Sequence, residues 1–154
     1  MKYTRITIII LMIFMIAGCS GTPEKILINA AAKGDIYAVK DALKDSKAKI
    51  DDQVDIRGTA LHISAEKGHT KVFGFLVSKG ADINAKVEMG SQDPVIVTAA
   101  QWDRYDIIKI LIDEKVKINE TGTNGSTALD FAKIKKNQKI IDLLTKNGGI
   151  SKNP

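Results

Sequence analysis

Two histidines and a group of aspartates are the residues of this chain that could hold a metal ion. His62 and His69 lie seven positions apart on either side of Gly68, with no cysteine or carboxylate at ligand spacing beside them. Zinc sites need three or four such ligands, so the pair predicts no zinc site. Three aspartates stand close together, at Asp51, Asp52 and Asp55. Their stretch lacks the glycine-containing loop of a calcium site, so we expect neither a metal nor another cofactor.

No side chains are spaced for catalysis. No serine, histidine and acid stand in a nucleophile motif, and no glycine-rich phosphate loop follows a strand pattern. The single cysteine, Cys19, has a different expected role, described below. We therefore predict that the protein is not an enzyme. An unrecognised hydrolase is the third and least supported class of function.

The N-terminus has the pattern of a secretion signal. Lys2 and Arg5 make a positive start, and a mostly apolar run follows at 6–16. The run is shorter than the about 20 residues that span a bilayer. Its end, Ile16-Ala17-Gly18-Cys19, resembles the lipobox of bacterial lipoproteins. The resemblance implies cleavage before Cys19 and lipid attachment to it; an ordinary signal peptide with an incidental cysteine is the competing interpretation.

This resemblance implies that the protein lies in the bacterial cell envelope. Residues 1–18 are the expected signal peptide, and residues 19–25 the lipidated tether. Ser20 is not an acidic retention signal, so in a Gram-negative cell we expect anchoring in the outer membrane, facing the periplasm. Removing Lys2 and Arg5 lowers the formal charge from +5 to about +3. The remaining lysines are scattered, so no nucleic-acid partner is predicted.

The rest of the chain repeats itself with a period of 33 to 35 residues. TALHISAEKGH at 59–69 aligns with PVIVTAA at 94–100 and TALDFA at 127–132, and a first, degenerate copy lies upstream. Each copy holds two short apolar runs divided by a turn. This predicts two short helices in a hairpin, with Gly68 between them and Gly80 at the end. Helices this short are marginal alone, so the copies must stack.

The pattern resembles the ankyrin-repeat family, whose consensus carries T-P-L-H-x-A on a period of 33. Pro94 and Val97 in the third copy, and Asp130 and Lys136 in the fourth, depart from it. The resemblance implies an all-α ankyrin-repeat solenoid over residues 26–150, expected to be a monomer. Its four helix-turn-helix repeats cover about 24–57, 58–90, 91–122 and 123–150, with a tail at 151–154.

Several residues are assigned structural roles. In the family, the equivalents of Thr59 and His62 tie neighbouring turns together by hydrogen bonds. His69 follows the glycine of the helix turn and is predicted to cap the second helix. The predicted inner face of the first helix consists of Ile26, Leu27, Ala30 and Ala31.

A protein-binding surface is predicted around Trp102, the only tryptophan of the chain. In the family, the two residues after the paired alanines face the concave groove where partners bind, and here they are Gln101 and Trp102. Tryptophan, tyrosine and arginine are enriched among binding hot spots. The predicted protein-binding residues are Lys67, Met89, Gln101, Trp102, Arg104 and Tyr105. Packing of Trp102 on the next repeat is the open alternative.

The solenoid and the anchor together predict a non-enzymatic lipoprotein tethered to the envelope. It would bind a protein partner through its concave face and reach the membrane through the lipid on Cys19. The narrower alternative is an immunity protein that binds and inhibits an envelope-active toxin or effector, such as a lipase delivered by a rival cell.

Overall fold

The computed structural model describes residues 21–44 and 48–152. The predicted signal peptide at 1–18, the predicted lipid site Cys19 and the last two residues of the predicted tail lie outside the described residues. In the part that is described, no helix is both long enough and apolar enough to cross a membrane.

Eight helices in four hairpins make up the regular structure of the described residues, which confirms the all-α prediction. The only other regular feature described is an isolated bridge between Lys86 and Pro94. The helices are α1 (Pro23–Lys33), α2 (Ile36–Lys44), α3 (Ala60–Lys67), α4 (Thr70–Ser78), α5 (Val95–Gln101), α6 (Tyr105–Asp113), α7 (Ala128–Ile134) and α8 (Gln138–Lys146).

Helix α1 begins inside the segment assigned to the tether. Thr22 accepts a hydrogen bond from the Lys25 amide, and Pro23 occupies the first turn, where its missing N–H is not needed. Residues 23–25 therefore belong to the helix. Ile26 was expected on the inner face, but its side chain is 45% exposed, and Ile28 is buried instead.

The two helices of each hairpin are joined through a residue with left-handed backbone geometry. Gly34 and Gly68 take this position in the first two repeats, with φ of 71° and 77°. Asp103 and Lys136 take it in the last two, with φ of 56° and 57°. Non-glycine residues adopt this geometry at an energetic disadvantage, so the fold tolerates a poorer residue in the C-terminal half.

The core runs along the stack of repeats, and the first helix of each hairpin contributes small buried residues to it. Ala60, Ala65, Ala99 and Ala100 are fully buried there and let neighbouring first helices approach closely. Contacts between first helices of adjacent repeats are more extensive than those between second helices. In a curved stack the closer row lies on the inside, so we infer that α1, α3, α5 and α7 line the concave side.

Candidate protein-binding surface

The concave side carries a row of equivalent positions at the ends of the first helices. Each position directly precedes the left-handed residue of its hairpin, and each side chain is exposed. The row consists of Lys33, Lys67, Trp102 and Lys135. Trp102 is 50% exposed, although tryptophan is a residue that cores usually cover. The row therefore presents one large aromatic surface among three lysines.

Gln101 is held in place by a carboxylate. Its amide Nε2 donates to Asp93 Oδ2 at 2.9 Å, and its side chain is only partly exposed. The backbone carbonyl of Asp93 accepts from the Val87 amide at 3.3 Å and lies 3.2 Å from His62 Nε2. Asp93 thus joins the second repeat to the start of the third and fixes Gln101 beside Trp102.

His62 forms the other half of that junction. Its Nδ1 accepts from the Thr59 amide at 3.3 Å and lies 2.9 Å from the Thr59 hydroxyl, so Nε2 carries the proton and donates to Asp93. Burial lowers the pKa of His62 to about 4, although the Asp93 carbonyl opposes the shift. The neutral ring is therefore a structural tie, as the family resemblance implies.

Side chains at the start of each later second helix reach back to the preceding repeat. They belong to His69, Arg104 and Asn137, which are equivalent positions. His69 Nε2 lies 3.0 Å from the Ala32 carbonyl, and Asn137 Nδ2 donates to Asp103 Oδ1 at 3.1 Å. His69 occupies the N-cap position of α4, but its side chain makes no capping hydrogen bond. The expectation that His69 caps this helix is therefore wrong, because its ring binds the repeat before it.

Arg104 is the strongest of these ties. Its Nε and Nη2 donate to the Glu66 carbonyl at 3.1 and 2.8 Å. A Cβ atom on Gly68 would come within 3.0 Å of this guanidinium, and one on Gly34 within 2.7 Å of the His69 ring. These two hairpins need glycine both for φ and for room. Asn137 is shorter, and the third hairpin accommodates Asp103.

The other predicted binding residues differ in how exposed their side chains are and in the contacts that they already make. Lys67 Nζ pairs with Glu66 Oε1 at 2.6 Å while remaining half exposed. Lys139 Nζ stands 4.3 Å from the centroid of the Tyr105 ring, which is partly buried. Met89 is 49% exposed in the connection before α5, where Gly90 lies next to Ile56. Trp102 and Met89 thus offer the most available apolar surface of the predicted set.

Sequence reasoning missed the tie made by Arg104 and the junction at Asp93. The first had a signal: His69, Arg104 and Asn137 recur at offsets of 35 and 33, directly after the hairpin turn. The second had none, because the partners of Asp93 come from two repeats and meet only in the stack.

The fold is a solenoid of helix hairpins, with an exposed row of side chains at the ends of its first helices. A family model described as ankyrin repeats (three copies) matches residues 7–87, more than half of the chain. The chain belongs to the ankyrin-repeat family. The matched range starts within the residues predicted as signal peptide, and the structure continues the same hairpin pattern through α5 to α8.

The relatives of this chain include an inhibitor, a cation channel and a regulatory subunit. It is 36% identical over 96 residues to NF-kappa-B inhibitor cactus of Drosophila melanogaster, covering 61% of this chain and 19% of that protein. It is 30% identical over 121 residues to transient receptor potential cation channel subfamily A member 1 of Homo sapiens, covering 77% and 11%. It is 36% identical over 75 residues to protein phosphatase 1 regulatory subunit 12A of Mus musculus, covering 49% and 7%. The chain thus spans a fifth or less of these proteins.

Proposed function

We propose that this protein is a non-enzymatic binding module tethered to the bacterial cell envelope. Residues 1–18 would direct export, Cys19 would carry the lipid, and the ankyrin repeats would hold a protein partner on the concave side. The N-terminal pattern supports the tether. Two relatives are named as an inhibitor and a regulatory subunit, and these names support a binding role for the repeats.

The observation that carries the binding proposal is the concave row around Trp102. A half-exposed tryptophan beside Gln101, which Asp93 holds in place, is a preorganised anchor of the kind that dominates interface energetics. Lys33, Lys67 and Lys135 lie along the same row. The partner that fits is an acidic segment with an apolar residue for Trp102, because complementary charge steers association and fixes register.

A crosslinking pull-down from envelope extracts tests the anchor. The full chain is compared with Trp102→Ala and with Tyr37→Ala, in which an aromatic residue 80% exposed on α2 is removed from the other helix row. We expect one stoichiometric partner with the wild type and with Tyr37→Ala, and its loss with Trp102→Ala. Equal recovery by all three chains would place the binding site elsewhere. A Cys19→Ala chain separates membrane retention from partner binding.

Charge reversal in the lysine row tests the acidic partner. Lys135→Glu is compared with Lys109→Glu, which changes an exposed lysine on the second helix α6. We expect the first change to slow association and to reduce its salt dependence, while the second leaves both unchanged. If the association rate were the same in both variants and at all salt concentrations, the partner would not be acidic.

An immunity protein that binds and inhibits an envelope-active toxin is the alternative that we propose. The predicted export favours it, since a toxin arriving from a rival cell would meet this protein outside the cytoplasm. No partner in extracts of the protein's own cells, together with a Trp102-dependent partner among the secreted proteins of a neighbouring strain, would support this function. A partner from its own envelope that is not inhibited would favour a scaffold.

A further inference from the structure

A basic recess lies on the second-helix side of the solenoid, on the side away from the concave row. It is an open recess formed by α2, residues 48–50 and α4, and it has a volume of about 710 Å³. This volume lies within the range of about 300 to 1,000 Å³ that is usual for small-molecule sites. Residues 45–47, which link Lys44 to Ala48, are not among the described residues.

The floor of the recess is apolar. It is formed mainly by Leu43, Ile50 and Phe75, which are partly buried and pack against the core. Ala48 is buried beside them. An apolar floor that remains open to solvent offers area to a hydrocarbon chain, at a gain of about 25 cal/mol for each Å² covered.

The rim of the recess is positive. Its charged residues are four exposed lysines, Lys40, Lys44, Lys49 and Lys79. Two of their ammonium groups, those of Lys40 and Lys79, stand 5.5 and 5.6 Å from the centroid of the Phe75 ring. No acidic residue of the described ranges lines the recess, and no ion pair there involves these lysines. Clefts lined by one sign of charge concentrate ions of the other sign.

From this arrangement we propose that the recess is a binding site for a single-chain anionic amphiphile, such as an alkyl phosphate or a fatty acid. The anionic head would lie among the ammonium groups of Lys40, Lys49 and Lys79. The alkyl chain would lie on Phe75 and its apolar neighbours. A concave recess suits one molecule better than the flat surface of a bilayer. The site is independent of the protein-binding row proposed above.

The sequence alone does not reveal this site. The lysines come from α2, the following connection and the end of α4, and they meet only because the second repeat stacks on the first. Along the chain they belong to the same scattered pattern as the other lysines.

Calorimetric titration of the full chain with three amphiphiles of equal chain length tests the proposal. The probes are dodecyl phosphate, dodecyl maltoside and dodecyltrimethylammonium, each below its micelle concentration. We expect dodecyl phosphate to bind with one-to-one stoichiometry and about tenfold more tightly than the cationic probe, because the rim repels a cation. Equal affinities for all three would show simple adsorption to apolar surface and overturn the proposal.

A matched pair of variants locates the binding. Lys40→Gln with Lys79→Gln removes two rim charges, whereas Lys109→Gln with Lys115→Gln removes two exposed lysines elsewhere. The first variant is expected to weaken dodecyl phosphate binding about tenfold and the second to leave it unchanged. The apolar run at 6–16 is common to all chains, so differences between variants report on the recess. Equal binding by both variants would overturn the assignment.

Cosedimentation distinguishes a single molecule from a membrane surface. Vesicles of phosphatidylcholine with phosphatidylglycerol are compared with vesicles of phosphatidylcholine alone, using the same variants. We expect the rim variant to bind dodecyl phosphate more weakly and to cosediment with both kinds of vesicle as the wild type does. If the rim variant instead lost binding to the anionic vesicles and still bound dodecyl phosphate, the rim would be a membrane-contact surface. The recess would then not be the amphiphile site.

Discussion

The second and third repeats have the same helix-hairpin backbone but carry different side chains at equivalent positions. The second begins α3 with Thr59 and His62, which hydrogen-bond to each other, and His62 also bonds to the Asp93 carbonyl of the next repeat. The third begins α5 with Pro94 and Val97, which make no side-chain cap, and Val97 is fully buried. Packing replaces hydrogen bonding at this position, so the family's polar consensus is one of two ways to join repeats.

The same two repeats differ at the end of the first helix. The second has Lys67 and Gly68, and the third has Trp102 and Asp103. Gly68 has to leave room for Arg104, whereas Asp103 accepts a hydrogen bond from the shorter Asn137. The third repeat thus departs from the consensus on its buried and its exposed side. The exposed departure is where the proposed binding anchor lies.

The largest effect is expected when the third repeat receives the histidine of the second. Val97→His places a larger imidazole in a full core, where Pro94 offers neither an N–H nor a hydroxyl to bond it. We expect the free energy of unfolding to fall by roughly 3 kcal/mol, measured by urea unfolding at pH 7. Adding Pro94→Thr should recover about 1 kcal/mol, because threonine restores the cap. Without that recovery, the cap residue would not explain why Val97 stands there.

Acid should weaken the second repeat through His62. Its folded pKa of about 4 lies below its ordinary value of 6.5, so only the unfolded chain takes up the proton as the pH falls below 6.5. Stability is therefore lost as the pH falls from about 6.5 to 4, by about 1.5 kcal/mol between pH 6.5 and 5. Unfolding curves at these pH values measure it.

The control for this pH dependence is His62→Val, which gives the second repeat the residue type of the third. This variant should be less stable at pH 7 by about 2 kcal/mol, because Thr59 and the Asp93 carbonyl lose their partner. Because this variant lacks the His62 ring, its stability should change by at least about 1 kcal/mol less than that of the wild type between pH 6.5 and 5. If the wild type and His62→Val lost the same stability between pH 6.5 and 5, groups other than His62 would cause the loss.

Substitutions at the left-handed hairpin residues Gly68 and Asp103 should change the stability of the protein by different amounts. Gly68→Ala is expected to destabilise the protein by about 2 kcal/mol, because alanine disfavours the positive φ and its Cβ would press on Arg104. Asp103→Gly should stay within about 1 kcal/mol of the wild type, since relief of φ offsets the lost bond to Asn137. Thermal unfolding of both variants measures the difference. If Arg104→Met failed to soften the effect of Gly68→Ala, crowding would not be part of its cause.

The smallest effect on stability is expected at the anchor. Trp102→Lys gives the third repeat the residue that the other repeats have at this position, and half of the tryptophan side chain is already exposed. We expect the free energy of unfolding to change by no more than about 0.5 kcal/mol, with loss of the pulled-down partner. A large loss of stability would mean that Trp102 mainly packs in the stack, the alternative that the sequence left open.

The fold was predictable because its signals are local and repeated. The same apolar positions recur in every copy, and Gly68 is repeated at Gly34 and Gly80 at Gly148. Short helices of this kind are stable only when stacked. Ile26 and His69 were assigned wrongly for the same physical reason. Whether a side chain is buried or reaches back depends on the neighbouring repeat, and the sequence of one repeat does not contain that neighbour. The assignment of Gln101, Trp102 and Met89 to a binding surface stays a prediction.

By itself, the sequence determined the helix hairpins, the family and the position of the only tryptophan, because these follow from periodicity and residue type along the chain. Stacking decided the rest. It neutralised His62 by burial, aimed Arg104 at the Glu66 carbonyl, and held Gln101 through Asp93. It also gathered scattered lysines around Phe75. The contacts of His62 with Asp93, of Arg104 with Glu66 and of Lys40 with Phe75 join residues about one period apart. Only the packed solenoid brings such residues within hydrogen-bonding or van der Waals distance, and it places Asp93 where Gln101, eight residues further on, can bond to it.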